Sequence, residues 1–122
     1  MMYMMSGDRS TVLVVEDEQE SRDTLRDLLE LEGYRVQTAV NGREALDVIS
    51  ASGDDICIVL LDLFMPVMDG WQVVDQLRAD GRLAKTQVVI ITSAAHRAPP
   101  GLPVFEKPLD LEKVMSAVER LC

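Results

Sequence analysis

A chain of 122 residues has room for one domain of ordinary size, which can bury enough surface to fold without disulfides or a structural metal. Apolar residues make up 48% of it, but their blocks fall well short of the roughly 18 to 20 residues a membrane span needs. A soluble protein without a membrane partner is expected. The formal charge of −9, with no local Lys/Arg cluster to offset it, argues against direct nucleic-acid binding.

The opening Met1-Met2-Tyr3-Met4-Met5 lacks the basic flank and small-residue cleavage site of a signal peptide, so residues 1–10 read as a disordered leader before a domain over 11–122. Thr11 to Val15 is β-branched and apolar, which predicts a strand. A helix follows, with Leu25, Leu28 and Leu29 on one face and Gly33 as its stop. Tyr34 to Thr38 is the second strand. Asn41 can cap a second helix that has Glu44 three residues on and buries Ala45, Leu46 and Ile49.

Ile56 to Leu61 and Val88 to Thr92 are apolar almost throughout, as central strands of a sheet covered on both faces should be. Between them Asp69-Gly70 starts a helix with the stripe Val73, Val74, Leu77. After the fourth strand, residues 94–103 carry three prolines and a glycine, which deny the segment more than about a turn of helix. Pro103 to Glu106 is the fifth strand, and a last helix from near Asp110 points Leu111, Val114, Val118 and Leu121 inward. The order βαβαβαβ, a gap, then βα implies a mostly parallel α/β sheet. Cys57 and Cys122 are far apart in sequence and suggest neither a disulfide framework nor a zinc site.

In open α/β sheets the functional crevice lies outside the carboxyl ends of the strands. The first strand runs into Glu16-Asp17 and the third ends in Asp62. On neighbouring strands, carboxylates about 4 Å apart would repel by roughly 4 kcal/mol at an effective dielectric near 20. Such a set calls for a cation, and oxygen-only ligands point to Mg²⁺. Thr92-Ser93 ends the fourth strand and Lys107-Pro108 follows the fifth, adding a hydroxyl and an ammonium at the same edge. Together these groups can hold a phosphoryl group, with Asp62 as nucleophile. Singly each reads as structural: strand-end acids often cap helices, and Thr92 or Lys107 alone would pass as a satisfied hydroxyl and a surface cation. Trp71 reads as a packed helix residue near Asp62, and His96 as an exposed loop residue.

From Val12 to Leu121 the chain resembles the response regulator receiver family. The resemblance rests on Glu16-Asp17, the run Leu60-Leu61-Asp62-Leu63-Phe64-Met65-Pro66-Val67-Met68-Asp69-Gly70, Thr92 with a small neighbour, and Lys107-Pro108. It implies a flavodoxin-like, doubly wound, five-stranded parallel sheet in the order 2-1-3-4-5. It also implies Asp62 as phosphoacceptor, Thr92 and Lys107 on the phosphoryl oxygens, and Mg²⁺ held by Asp17, Asp62, the Phe64 backbone carbonyl and, through water, Glu16. The Lys107-Pro108 peptide is typically cis in that family. A sensor histidine kinase or histidine phosphotransfer protein would be the donor, an unidentified downstream protein the target, and the cytoplasm the setting.

Two departures stand out. The family's switch aromatic, three residues before the lysine, is Val104 here, with Phe105 beside it, and the fourth helix must be shortened or missing. They keep open a receiver-like interaction module that is never phosphorylated. A phosphatase of the haloacid dehalogenase kind fits poorly, because Phe64 stands where its second aspartate belongs. A nucleotide or flavin module fits no better, since Glu16-Asp17-Glu18-Gln19 replaces a glycine-rich loop.

Overall fold

The computed structural model describes residues 11–122; the expected leader lies outside them. Five parallel strands form one sheet in the order β2-β1-β3-β4-β5. They are β1 (Thr11–Val15), β2 (Arg35–Ala39), β3 (Ile56–Asp62), β4 (Val88–Thr92) and β5 (Val104–Glu106). The helices are α1 (Gln19–Leu31), α2 (Gly42–Ser52), α3 (Gly70–Ala79) and α4 (Leu111–Leu121). No helix among the described residues is long and apolar enough to cross a membrane.

Alternation along the three central strands feeds two cores. Leu13, Val15, Val59, Leu61 and Ile90 face α2 and α3, whose Ala45, Leu46, Ile49, Val73, Val74 and Leu77 are buried against them. Val12, Val14, Ile58, Leu60, Val89 and Ile91 face α1 and α4, meeting Leu25, Leu29, Val114 and Val118. Both faces of β3 are thereby covered, which is why all seven of its residues are buried.

Caps start the helices where side chains can take up free N–H groups. Asn41 accepts from the Glu44 N–H at 2.9 Å, whereas the Glu44 carboxylate reaches back to the Val40 N–H, one residue beyond the position a capping box would use. Asp69 and Gln72 do form a capping box at α3. Gly70 tolerates no side chain, since a Cβ there would stand 2.5 Å from the Asp62 carbonyl oxygen. The start of α3 is therefore pressed against the end of β3.

The link from β4 to β5 holds one 3₁₀ turn, Ala95–Arg97, and no α-helix, as three prolines in ten residues require. One expectation fails. Cys57 and Cys122 form a disulfide, with Cα atoms 5.1 Å apart. The fold supplies what sequence distance hid. The last turn of α4 returns to the amino edge of the sheet, where the Leu121 carbonyl accepts from Gln87 just ahead of β4. Cys57 lies at that edge, skipped by the pairing of Thr11 with Ile56 and Val12 with Ile58.

Candidate functional site

The carboxyl ends of β1, β3, β4 and β5 bring Glu16, Asp17, Asp62, Thr92 and Lys107 to one edge of the sheet. Val15 pairs with Leu61, so Glu16 and Asp62, the next residue on each strand, are neighbours. Both are buried, at 1% and 4% exposure, while Asp17 is exposed. One oxygen from each of the three carboxylates lies within 4.8 Å of the others.

Lys107 reaches in from the end of β5. Its Nζ is 2.6 Å from Glu16 Oε1 and 3.6 Å from Asp62 Oδ2. Its backbone N–H donates to the Thr92 carbonyl at 2.8 Å, and the Lys107-Pro108 peptide is cis, as the resemblance implied. Thr92 is fully buried, and its Oγ1 accepts from the Ala94 N–H at 3.0 Å. The Phe64 N–H donates to Asp62 Oδ1 at 3.4 Å.

Charge is out of balance here. The Asp62 pKa is raised to about 7, first by burial and then by the charge and hydrogen bonding of Glu16, against the opposing pull of Lys107 and the Phe64 N–H. Burial disfavours the Lys107 ammonium, but its hydrogen bond to Glu16 and the charges of Asp62 and Glu16 hold its pKa above the ordinary lysine value. One ammonium cannot neutralise three carboxylates. A hard divalent cation on oxygen donors fits both the missing charge and the chemistry of the set.

The sequence-derived site residues thus come together, with Phe64 in the loop just beyond them. Its ring, 41% exposed, meets Trp71 edge-on at 5.2 Å between centroids. Val104 is half-buried against the α2/α3 core, and Phe105 packs on the opposite core. His96 is exposed. Two arginines escaped the sequence reading. Arg22 donates to the Glu16 and Asp17 carbonyls at 3.0 and 3.2 Å, holding the loop that presents both acids. Its position in the first turn of α1, just after the acidic pair, was the available signal. Arg97 stacks on Phe64 and Trp71, a contact across β4 that no spacing announces.

The sequence model of the response regulator receiver domain family matches residues 12–100. The response regulator MprA of Mycolicibacterium vanbaalenii is 35% identical over 115 residues, which cover 90% of this chain and 49% of MprA. The chain spans about half the length of the curated relatives it matches. Among solved structures, the receiver domain of the hybrid histidine kinase CckA is 29% identical with a TM-score of 0.78, over 91% of this chain and 97% of that one. The response regulator TrrA of Thermotoga maritima, crystallised in complex with Mg²⁺-BeF, is 26% identical with a TM-score of 0.80, over 93% and 99%.

Proposed function

Because the chain belongs to the response regulator receiver domain family, we propose that it is a switch of a two-component phosphorelay, accepting a phosphoryl group on Asp62. The observation that carries this reading is Asp62 itself. It is a buried carboxylate at a strand end, crowded by Glu16, with the Lys107 ammonium 3.6 Å away.

In the proposed transfer, a carboxylate oxygen of Asp62 attacks the phosphorus of a phosphohistidine on a sensor kinase or phosphotransfer protein. The P–O bond forms as the P–N bond breaks, and the imidazole leaves with the bonding pair and takes up a proton. Lys107 would exchange part of its pairing with Glu16 for a phosphoryl oxygen, and the Thr92 hydroxyl would donate to another. Glu16, Asp17, Asp62 and the Phe64 carbonyl would hold Mg²⁺. When bound, the ion supplies charge neutralisation for the carboxylates and the incoming phosphoryl oxygens. The domain transmits a signal rather than turning over a substrate, with at most self-phosphorylation and autodephosphorylation activity. Its proposed setting is the cytoplasm.

Phe64 and Ala94, each two residues beyond a site residue, offer no side-chain polar group to position an attacking water, so the phosphorylated form should decay more slowly than a Phe64→Asn variant. The central test is intact mass after incubation with acetyl phosphate and Mg²⁺. One added phosphate in the parent and none in Asp62→Asn is the expected result. No gain in the parent would turn the reading to a receiver-like interaction module.

A further inference from the structure

We propose that Arg97 is a latch that ties the Pro-rich β4–β5 link to the Asp62 loop and lets go when Asp62 is phosphorylated, so that the link reports the state of the site. The proposal rests on the phosphoacceptor reading. It goes beyond it in assigning a transmitting device to a domain whose switch aromatic is replaced by Val104.

The geometry is a series of contacts that leads from Arg97 in two directions. Arg97 ends the 3₁₀ turn, and its carbonyl accepts from the Trp71 indole N–H at 2.9 Å. Its guanidinium lies 4.9 Å from the Trp71 ring and 5.6 Å from the Phe64 ring, within the range in which a cation is drawn to an aromatic face. The Phe64 N–H donates to Asp62 Oδ1. In the other direction, the Arg97 N–H donates to the Ala94 carbonyl at 2.9 Å, and the Ala94 N–H donates to Thr92 Oγ1. Asp62 pairs with Ile91, which puts Thr92 beside the end of β3. Both directions therefore end on residues of the phosphoryl site, Asp62 and Thr92.

Arg97 has no ion pair among the described residues and stacks on two rings instead, although it is exposed. A phosphoryl group on Asp62 turns one carboxylate oxygen into the bridging oxygen of an acyl phosphate, a mixed anhydride, and draws on the Thr92 hydroxyl, disturbing both anchors at once. It also adds negative charge that competes with the ring faces for the guanidinium. Release of Arg97 uncovers Trp71 and frees the link from residue 94 onward.

Trp71 is the chain's single tryptophan, so its quenching by acrylamide reads the latch directly. Parent, Arg97→Ala and Arg97→Lys would be measured before and after acetyl phosphate with Mg²⁺, with phosphate counted by mass in the same samples. Arg97 is exposed, and all three proteins should fold and take up equal phosphate. In the parent the quenching constant should rise by about twofold on phosphorylation as the stacked cation leaves. Arg97→Ala should show the raised value already at rest and gain nothing further, and Arg97→Lys should fall between. A fully phosphorylated parent with unchanged quenching overturns the latch while leaving the phosphoacceptor reading intact. So does an Arg97→Ala protein that matches the parent in both states. A parent that takes up no phosphate overturns both readings, and the mass measurement separates that failure from the others.

Discussion

The two ends of β3 are held in opposite ways. At its amino end Cys57 is bonded covalently to Cys122 at the end of α4, and the neighbouring side chains are packed and apolar. At its carboxyl end, five residues later, Asp62 is buried beside a second carboxylate and only partly compensated by Lys107. The same depth of burial stabilises one end and strains the other, because what is buried differs. A parallel sheet concentrates its chemistry at the carboxyl edge, and β3 shows the corollary: the opposite edge is free to be fixed.

The largest effect should come from cutting the amino end loose. A bond between residues 65 apart removes chain entropy from the unfolded state worth about 4 kcal/mol by the loop relation. Cys122→Ser, or the parent in dithiothreitol, should lose up to that amount in urea denaturation while Mg²⁺ affinity stays unchanged. A glutathione-buffered cytoplasm opposes such bonds, so a thiol count on protein quenched directly from cells would show which form works there. An unchanged midpoint after verified reduction would erase the contrast between the two ends.

The carboxyl end should respond in the opposite sense. Folding raises the Asp62 pKa from an ordinary carboxyl value to about 7, so the folded state holds that proton more tightly than the unfolded chain. The associated stability is fully present below about pH 4 and is lost as pH rises through 7. The shift corresponds to about 4 kcal/mol before solvent screening and to about 2 kcal/mol after allowing for it. Asp62→Asn should therefore be more stable than the parent at pH 8 and equal to it at pH 4, as read by urea midpoints. Equal stability at pH 8 would mean that Asp62 carries no strain at rest.

Magnesium supplies the third and smaller lever. An ion that binds only the folded protein stabilises it by about 1.4 kcal/mol at ten times its dissociation constant. The parent's thermal midpoint should rise in Mg²⁺ and its loss of stability toward pH 8 should flatten, because a bound cation favours the charged carboxylates. Asp17→Ala, changing an exposed residue, should abolish both responses without altering the metal-free midpoint. Persistence of the full response in that variant would remove Asp17 from the metal set.

Most of the carboxyl edge was legible in the sequence. Apolar β-branched runs ending in acids, a threonine and a lysine fix where strands stop, and parallel topology then collects the ends. Strand limits moved by at most one residue, as with Arg35–Ala39 against Tyr34 to Thr38. The contacts that hang on tertiary distance were not legible. Cys57 and Cys122 meet only because α4 returns to the sheet's other edge, and Arg97 finds Trp71 only because the link folds back toward α3. Periodicity shows which face a residue takes on its own element, and it is silent on what lies across the gap.

Backbone conformation sharpens the same contrast at the smallest scale. Val67, in the loop after Asp62, has φ +69° and is 80% exposed. A β-branched residue in the left-handed region is strained by about 1 to 3 kcal/mol, and with so little packing to lose, glycine can relieve it. Glycine also frees the unfolded chain, which returns up to about 1 kcal/mol of that relief. Val67→Gly should accordingly gain about 1 kcal/mol. Just ahead of β3 the rule inverts. Gly53 has φ −57° and ψ −30°, and a Cβ there would meet only Ile49 Cγ2 at an ordinary 3.8 Å. Gly53→Ala should gain about 0.5 kcal/mol by restricting the unfolded chain. Urea midpoints of the two single variants and the double variant test the pair, and the gains should add because the sites share no contact. A loss of stability in Val67→Gly would show that the loop beside Asp62 is relaxed at rest, leaving electrostatics as the sole strain at that end of the strand.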